Sequence, residues 1–122
     1  MPNYVQHLAY GGVNYVLLEC ANLRDEAVVL RVVKHCEEEL SGHPTSSLRL
    51  LFNLENTIFT RKTLAAVAEF NAAIGRSLIR SAILGAEGMM TIAVNNIARE
   101  SQRPVQMFKD HAAAVEWLIG DD

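Results

Sequence analysis

The spacing of hydrophobic positions changes several times along the chain, and each change marks an element. Residues 4–10, YVQHLAY, alternate and stop at Gly11-Gly12; residues 13–21, VNYVLLECA, then run apolar and β-prone. Two such runs joined at a Gly-Gly step predict an antiparallel hairpin, because glycine supplies the positive φ of a two-residue turn. From Arg24 the period lengthens. Val29, Val32, Val33, Cys36 and Leu40 recur at helical spacing, while Arg31, Lys34, Glu37 and Glu38 face away. Asn22 or Asp25 is placed to start this helix, and Ser41-Gly42-His43-Pro44 ends it. Residues 47–54, SLRLLFNL, are almost wholly apolar, as in a strand covered on both faces. Thr60 or Thr63 then opens a helix that runs to Ile74 and closes at Gly75. Residues 77–85, SLIRSAILG, predict a strand, and GAEG a tight turn. In residues 89–100, MMTIAVNNIARE, helical spacing puts Met90, Val94, Ile97 and Ala98 on one face. Pro104 permits a short last strand, VQMF at 105–108, after which Asp110 caps a helix over 111–119.

The order is β-β-α-β-α-β-α-β-α. Three successive strand–helix–strand crossovers demand a mainly parallel sheet with right-handed connections, and the initial hairpin adds an antiparallel edge. No Gly/Ser/Pro-rich linker, composition shift or internal repeat divides the chain, so residues 1–122 are read as a single α/β domain.

Composition narrows the function. A chain of 122 residues, half hydrophobic and a fifth charged, buries roughly two-thirds of its unfolded surface and needs no metal or disulfide staple. A net charge of −3 and a pI near 5.8 speak against nucleic acid, whose phosphates call for a cationic surface. No apolar stretch approaches the ~20 residues that span a bilayer. The opening MPNYVQHLAYGG has neither a basic leader nor a continuous apolar segment, so no secretory signal is expected. Cys20 and Cys36 form no CxxC and are expected as free, buried thiols in a cytoplasmic protein.

Reactive constellations are missing from the sequence. GAEG at 85–88 sits between a strand and a helix, where backbone N–H groups favour anions, yet it lacks the third glycine of GxGxxG and the Gly-Lys-Ser/Thr of a phosphate loop. Glu87 places a carboxylate where phosphate would lie. Gly85 and Gly88 are therefore read as a tight turn at the carboxyl edge of the sheet, where open α/β folds keep their working surface. His7, His35, His43 and His111 are scattered, no HExxH or GxSxG occurs, and Glu37-Glu38-Glu39 share one solvated helix face. No metal, cofactor or catalytic set is expected. Met89 and Met90 are read as core filler, and Phe108 and Trp117 as the residues that pin the last helix to the sheet.

FTRKT at 59–63 is the one stretch with a local conflict. Thr60 and Thr63 are both good N-caps, whereas Arg61 and Lys62 beside a helix N-terminus are unfavourable by a few tenths of a kcal/mol. Those cations suit a bound anion or an acidic partner. Thr60 is read as the cap, with Arg61 and Lys62 on an interaction surface.

With LRLLFNLENTIFT before the second helix, SAILGAEGMMTIAVNNIARES around the third, and the ending RPVQMFKDHAAAVEWL, the chain resembles the STAS domains of bacterial anti-sigma-factor antagonists. More specifically, it is similar to small SpoIIAA-like proteins related to both STAS and CRAL-TRIO domains. The resemblance spans nearly the whole chain. It implies a non-enzymatic regulatory module that binds a protein partner; a CRAL-TRIO-like carrier or sensor of a small apolar ligand is the alternative. The family's kinase-targeted Asp-Ser pair is replaced here by Arg61-Lys62, which leaves Thr60 and Thr63 as candidate phosphosites. Thr60, Arg61, Lys62, Thr63, Gly85, Glu87 and Gly88 form the expected interaction surface of a monomer or weak homodimer.

Overall fold

The sheet has five strands in the order β1-β2-β3-β4-β5, and its strand directions follow from the connections. The structure, a computed structural model, describes residues 3–101 and 103–120; the remainder of the domain expected over 1–122 lies outside the described residues. Strands β1 (Val5–Tyr10) and β2 (Val13–Glu19) form the antiparallel hairpin, closed by Gly11 and Gly12, both at positive φ. Helix α1 (Glu26–Leu40) leads to β3 (Leu48–Asn53), and α2 (Arg61–Ile74) to β4 (Leu78–Leu84). Helix α3 (Met89–Glu100) leads to β5 (Val105–Phe108), and α4 (His111–Leu118) follows. β2, β3, β4 and β5 are all mutually parallel, as three helical crossovers require.

Each crossover steps to the next strand in the same direction, so right-handed connections put α1, α2 and α3 on one face. That face holds the larger core: Val29, Val33 and Cys36 of α1, Val67 and Phe70 of α2, and Met90 and Val94 of α3 pack on Leu18, Leu50 and Phe52. Phe52 meets Phe70 edge-on, ring centroids 5.4 Å apart. The chain then returns over the opposite face, where Ala114, Val115 and Leu118 of α4 pack on Tyr15, Leu17, Leu51, Ala82 and Leu84. The uninterrupted apolar run of β3 has its explanation here, since Leu50 and Leu51 face different layers and both are buried. Burying each such leucine contributes roughly 1.5–3 kcal/mol.

Two arginines hold α4 in place. Nη1 of Arg49 donates to the carbonyls of Leu118 (2.9 Å) and Gly120 (2.8 Å), and Nη1 of Arg80 donates to Trp117 (2.6 Å). The Arg80 guanidinium also lies 4.6 Å from the centroid of the Trp117 ring, which in turn tilts against Phe108 at 5.5 Å. Cations at the carbonyl end of a helix satisfy its orphan acceptors and its dipole together. Phe108 and Trp117 do pin the last helix, as their sequence positions suggest.

Helix limits follow the expected caps. Asp25 accepts from Ala27 and Val28 to start α1, and Asp110 from Ala113 to start α4. Gly75 does not turn left-handed; at φ −54 it passes α2 into a short 3₁₀ turn, Gly75–Ser77. Cys20 and Cys36 are free and buried.

Candidate functional site

Because β2, β3 and β4 run parallel, the loops that follow them emerge at one edge of the sheet. Hydrogen bonds bind these loops to each other. The Thr57 hydroxyl donates to the carbonyl of Cys20 and accepts from the Leu23 amide, while Ile58 N–H donates to the Leu23 carbonyl. Asn22 and Asn56 both take positive φ, a conformation asparagine tolerates better than most residues, and the Asn56 side chain donates to Asn22 Oδ1 at 3.0 Å. Asn53, buried at the end of β3, donates to Glu19 Oε1 and accepts from the Glu55 amide. The third loop closes onto the second at Gly85. A Cβ at Gly85, which has φ +84, would lie 2.5 Å from Glu55 Cγ and 2.7 Å from the Glu55 backbone. Only a residue without a side chain lets the strands' exits meet this closely.

Thr60 and Thr63 both use their hydroxyls to start α2. Thr60 is the N-cap: its Oγ1 accepts from the Thr63 amide and donates to Glu26 Oε2 in the first turn of α1. Thr63, fully buried, accepts from the Thr60 amide (2.7 Å) and donates to the Thr60 carbonyl (3.1 Å). This is a capping box with threonine in the place usually held by glutamate. Arg61 and Lys62 project outward, exposed and with no ion-pair or hydrogen-bond partner among the described residues. On the neighbouring loop Glu87 and Gly88 are exposed, and Gly88 begins α3 at φ 54 and ψ −127 with no side-chain cap.

The sequence-predicted residues thus share one edge, and the structure adds two more. Met89 and Ile92 are 59% and 64% exposed on α3, whereas Met90 is fully buried. The expectation that both methionines fill the core therefore holds for Met90 alone. Residues 89 and 92, three apart, lie off the stripe of Met90, Val94 and Ile97, and that offset was readable from helical spacing. Sequence reasoning also missed Glu26, because its link to Thr60 joins two helices 34 positions apart.

Among the described residues no three His, Cys, Asp or Glu side chains gather into a metal-ligating group. His35 pairs with Glu39 at 3.1 Å on the surface of α1, and His43 Nδ1 contacts the Leu40 carbonyl. Both are remote from Thr60 in the chain and belong to other parts of the fold. Among the described residues no helix is long and apolar enough to cross a membrane.

A crystal structure of an uncharacterized DUF3478-family protein from Shewanella loihica PV-4, described as having a SpoIIAA-like fold, superposes on this chain with a TM-score of 0.70. The match covers 93% of this chain and 91% of that one, at 16% sequence identity. The fold is SpoIIAA-like. No protein-family model matches the sequence, and no curated protein is similar to it at a significant level. The likeness therefore resides in the architecture. Within this SpoIIAA-like fold the edge with FTRKT and GAEG presents cations and apolar side chains over a framework locked by threonine and asparagine hydrogen bonds.

Proposed function

We propose that the protein is a non-enzymatic, regulatory protein-interaction module whose contact face is the edge carrying Thr60–Thr63 and Gly85–Ile92. The observation that carries this reading is the exposure of Met89 and Ile92 on one helix and of Arg61 and Lys62, which have no partner among the described residues, on the adjacent helix that begins at the same edge. Exposed apolar surface rimmed by polar residues is the usual mark of a protein contact site. The complementary partner presents an apolar patch rimmed by carboxylates.

In this reading Thr60 and Thr63 are scaffold. A phosphate on Thr60 would set a dianion against the Glu26 carboxylate and remove the cap, and Thr63 has no free hydroxyl face. The loops are fixed by their mutual hydrogen bonds, so the surface is formed before the partner arrives, which lowers the entropy cost of binding.

The alternative, a carrier of a small apolar ligand, finds less support. The mainly apolar space beneath α2 and α3, lined by Phe52, Phe70, Ile83, Val94 and Ile97 together with Asn71 and Ser81, has a volume of about 10 Å³, room for no more than one water. Helices α3 and α4 lie on opposite faces, so no cavity lies beneath both.

The test is affinity capture with wild type, Arg61→Glu/Lys62→Glu and Met89→Lys/Ile92→Lys, each first shown to be folded by circular dichroism. Binding partners retained by wild type and lost from both variants support the module. Identical partner sets for all three proteins would remove this edge from the interaction.

A further inference from the structure

Helices α2 and α3 each return the chain from the interaction edge of the sheet to the opposite one, since the strands they join run parallel. There their last turns, the 3₁₀ turn Gly75–Ser77 and the loop between α1 and β3 bound a surface cleft of about 580 Å³. Ala68, Ala72 and Ile97 give it an apolar lining, and Arg76, Arg103 and Glu100 supply its charge. Small-molecule clefts run from about 300 to 1,000 Å³ and combine such a lining with a few polar groups.

The polar side chains of this cleft are unengaged. Arg76 and Arg103 make no side-chain hydrogen bond or ion pair among the described residues, not even with Glu100. Asn71, half-buried on α2, and Thr45 likewise leave their side chains unbonded among those residues. At the interaction edge the opposite holds: Asn22, Asn53, Asn56, Thr57, Thr60 and Thr63 are all hydrogen-bonded through their side chains. The main chain around the cleft is nonetheless tied. The Ser46 amide donates to the Arg76 carbonyl at 3.0 Å, and the Arg103 amide to Ser101 Oγ at 3.1 Å. A site whose main chain is already ordered loses less entropy on binding. Compensation of helix dipoles accounts for one arginine only. Arg76 follows the last turn of α2, whereas Arg103 lies beyond Ser101, the cap of α3, whose last turn already holds Arg99.

We propose that the cleft binds a small organic carboxylate, its charged end held by Arg76 and Arg103 and its apolar body resting on Ala68, Ala72 and Ile97. Charge selects the class. Two guanidiniums against one carboxylate leave the cleft net cationic by one charge in a molecule of net charge −3, which suits a monoanion better than a phosphate dianion. The planar fork of a guanidinium meets a carboxylate with two parallel hydrogen bonds. Asn71 and Thr45 remain to bond a polar substituent of the ligand. The cleft lies at the far end of α2 and α3 from Arg61 and Met89, so its failure leaves the interaction edge untouched.

The experiment is titration of the full chain with benzoate, followed by amide chemical shifts. Saturable shifts at millimolar benzoate are expected in residues 68–76 and 97–101, and none in 60–63. Acetate lacks the apolar body and benzyl alcohol the charge, so each is expected to bind at least about tenfold more weakly. Arg76→Gln/Arg103→Gln removes both cations and is expected to weaken benzoate binding by about tenfold or more, whereas Arg61→Gln/Lys62→Gln leaves it unchanged. Circular dichroism checks that the variants fold, and Arg76→Lys/Arg103→Lys, which keeps the charge and loses the fork, is expected to fall between wild type and the glutamine pair. An absence of saturable shifts, shifts centred on 60–63, acetate, benzyl alcohol or phenyl phosphate binding as tightly as benzoate, or an unchanged affinity in the glutamine pair would each overturn the proposal.

Discussion

Thr60 and Gly85 carry most of the candidate site's geometry, and they differ in how much the sequence discloses. That Thr60 is an N-cap could be read from its place before a helical stripe. Its second bond, to Glu26, depends on α1 and α2 packing side by side and has no local signal. Thr60→Ala removes both, so a loss of about 1–2 kcal/mol in urea unfolding is expected, with Thr60→Ser recovering most of it. A loss no larger for Thr60→Ala than for Thr60→Ser would show that the hydroxyl does not hold the two helix starts together. Gly85 and Gly88 look alike as glycines of one turn but answer to different constraints. At Gly85 a methyl would overlap the Glu55 backbone and take a left-handed φ, whereas at Gly88 nothing lies within 4 Å and only the backbone conformation resists. Gly85→Ala is therefore expected to cost more than about 3 kcal/mol and Gly88→Ala about 1–2 kcal/mol. Equal thermal shifts for the two variants would mean that the Glu55 contact relaxes freely.

At the scale of elements, periodicity disclosed nearly the whole architecture. The stripe of Val29, Val32, Val33, Cys36 and Leu40 predicts α1 and is buried in full, and the apolar run in β3 predicts a strand with both faces covered. Periodicity could not say which face α4 covers, because a helix after the last strand is bound by no crossover rule. What fixes α4 is the pair Arg49 and Arg80, interrupting otherwise apolar strands; from sequence alone such arginines signal exposure, and here Arg80 is only 5% exposed. The guanidinium needs its fork for the Trp117 carbonyl and its plane for the Trp117 ring, which lysine cannot supply together. Arg80→Met and Arg80→Lys are both expected to destabilise by about 1–3 kcal/mol and to loosen α4 ahead of the rest. Trp117 is the sole tryptophan, so its fluorescence reports this helix alone. A red-shifted native spectrum and faster amide exchange confined to 111–118 are expected; an unchanged spectrum in both variants would assign α4 docking to apolar packing only.

The whole molecule is two unequal cores on one sheet, and the larger contains a pair of buried thiols that the interaction edge does not use. Cys20, just past the end of β2, and Cys36, in the middle of α1, meet in the core that α1 shares with the sheet. The Cys36 side chain hydrogen-bonded to Cys20, and then burial, push the Cys20 thiol well above its ordinary value of 9.0. The folded protein thus keeps this proton at pH values where the unfolded chain releases it. The sign follows from linkage: the thiol's contribution is fully present below pH 9.0 and is lost as pH rises above it, because only the unfolded state gains by ionising. For one proton the slope is about 1.4 kcal/mol per pH unit. Tyrosines and lysines also titrate in that range, so the difference from Cys20→Ala isolates the thiol. Urea unfolding at neutral pH and at two points above 9.0 should show wild type losing stability more steeply than the variant, by close to one proton's worth. Parallel pH profiles would mean that the core admits a thiolate or opens around α1 before global unfolding, and the burial of this pair would then not control the alkaline limit of the fold.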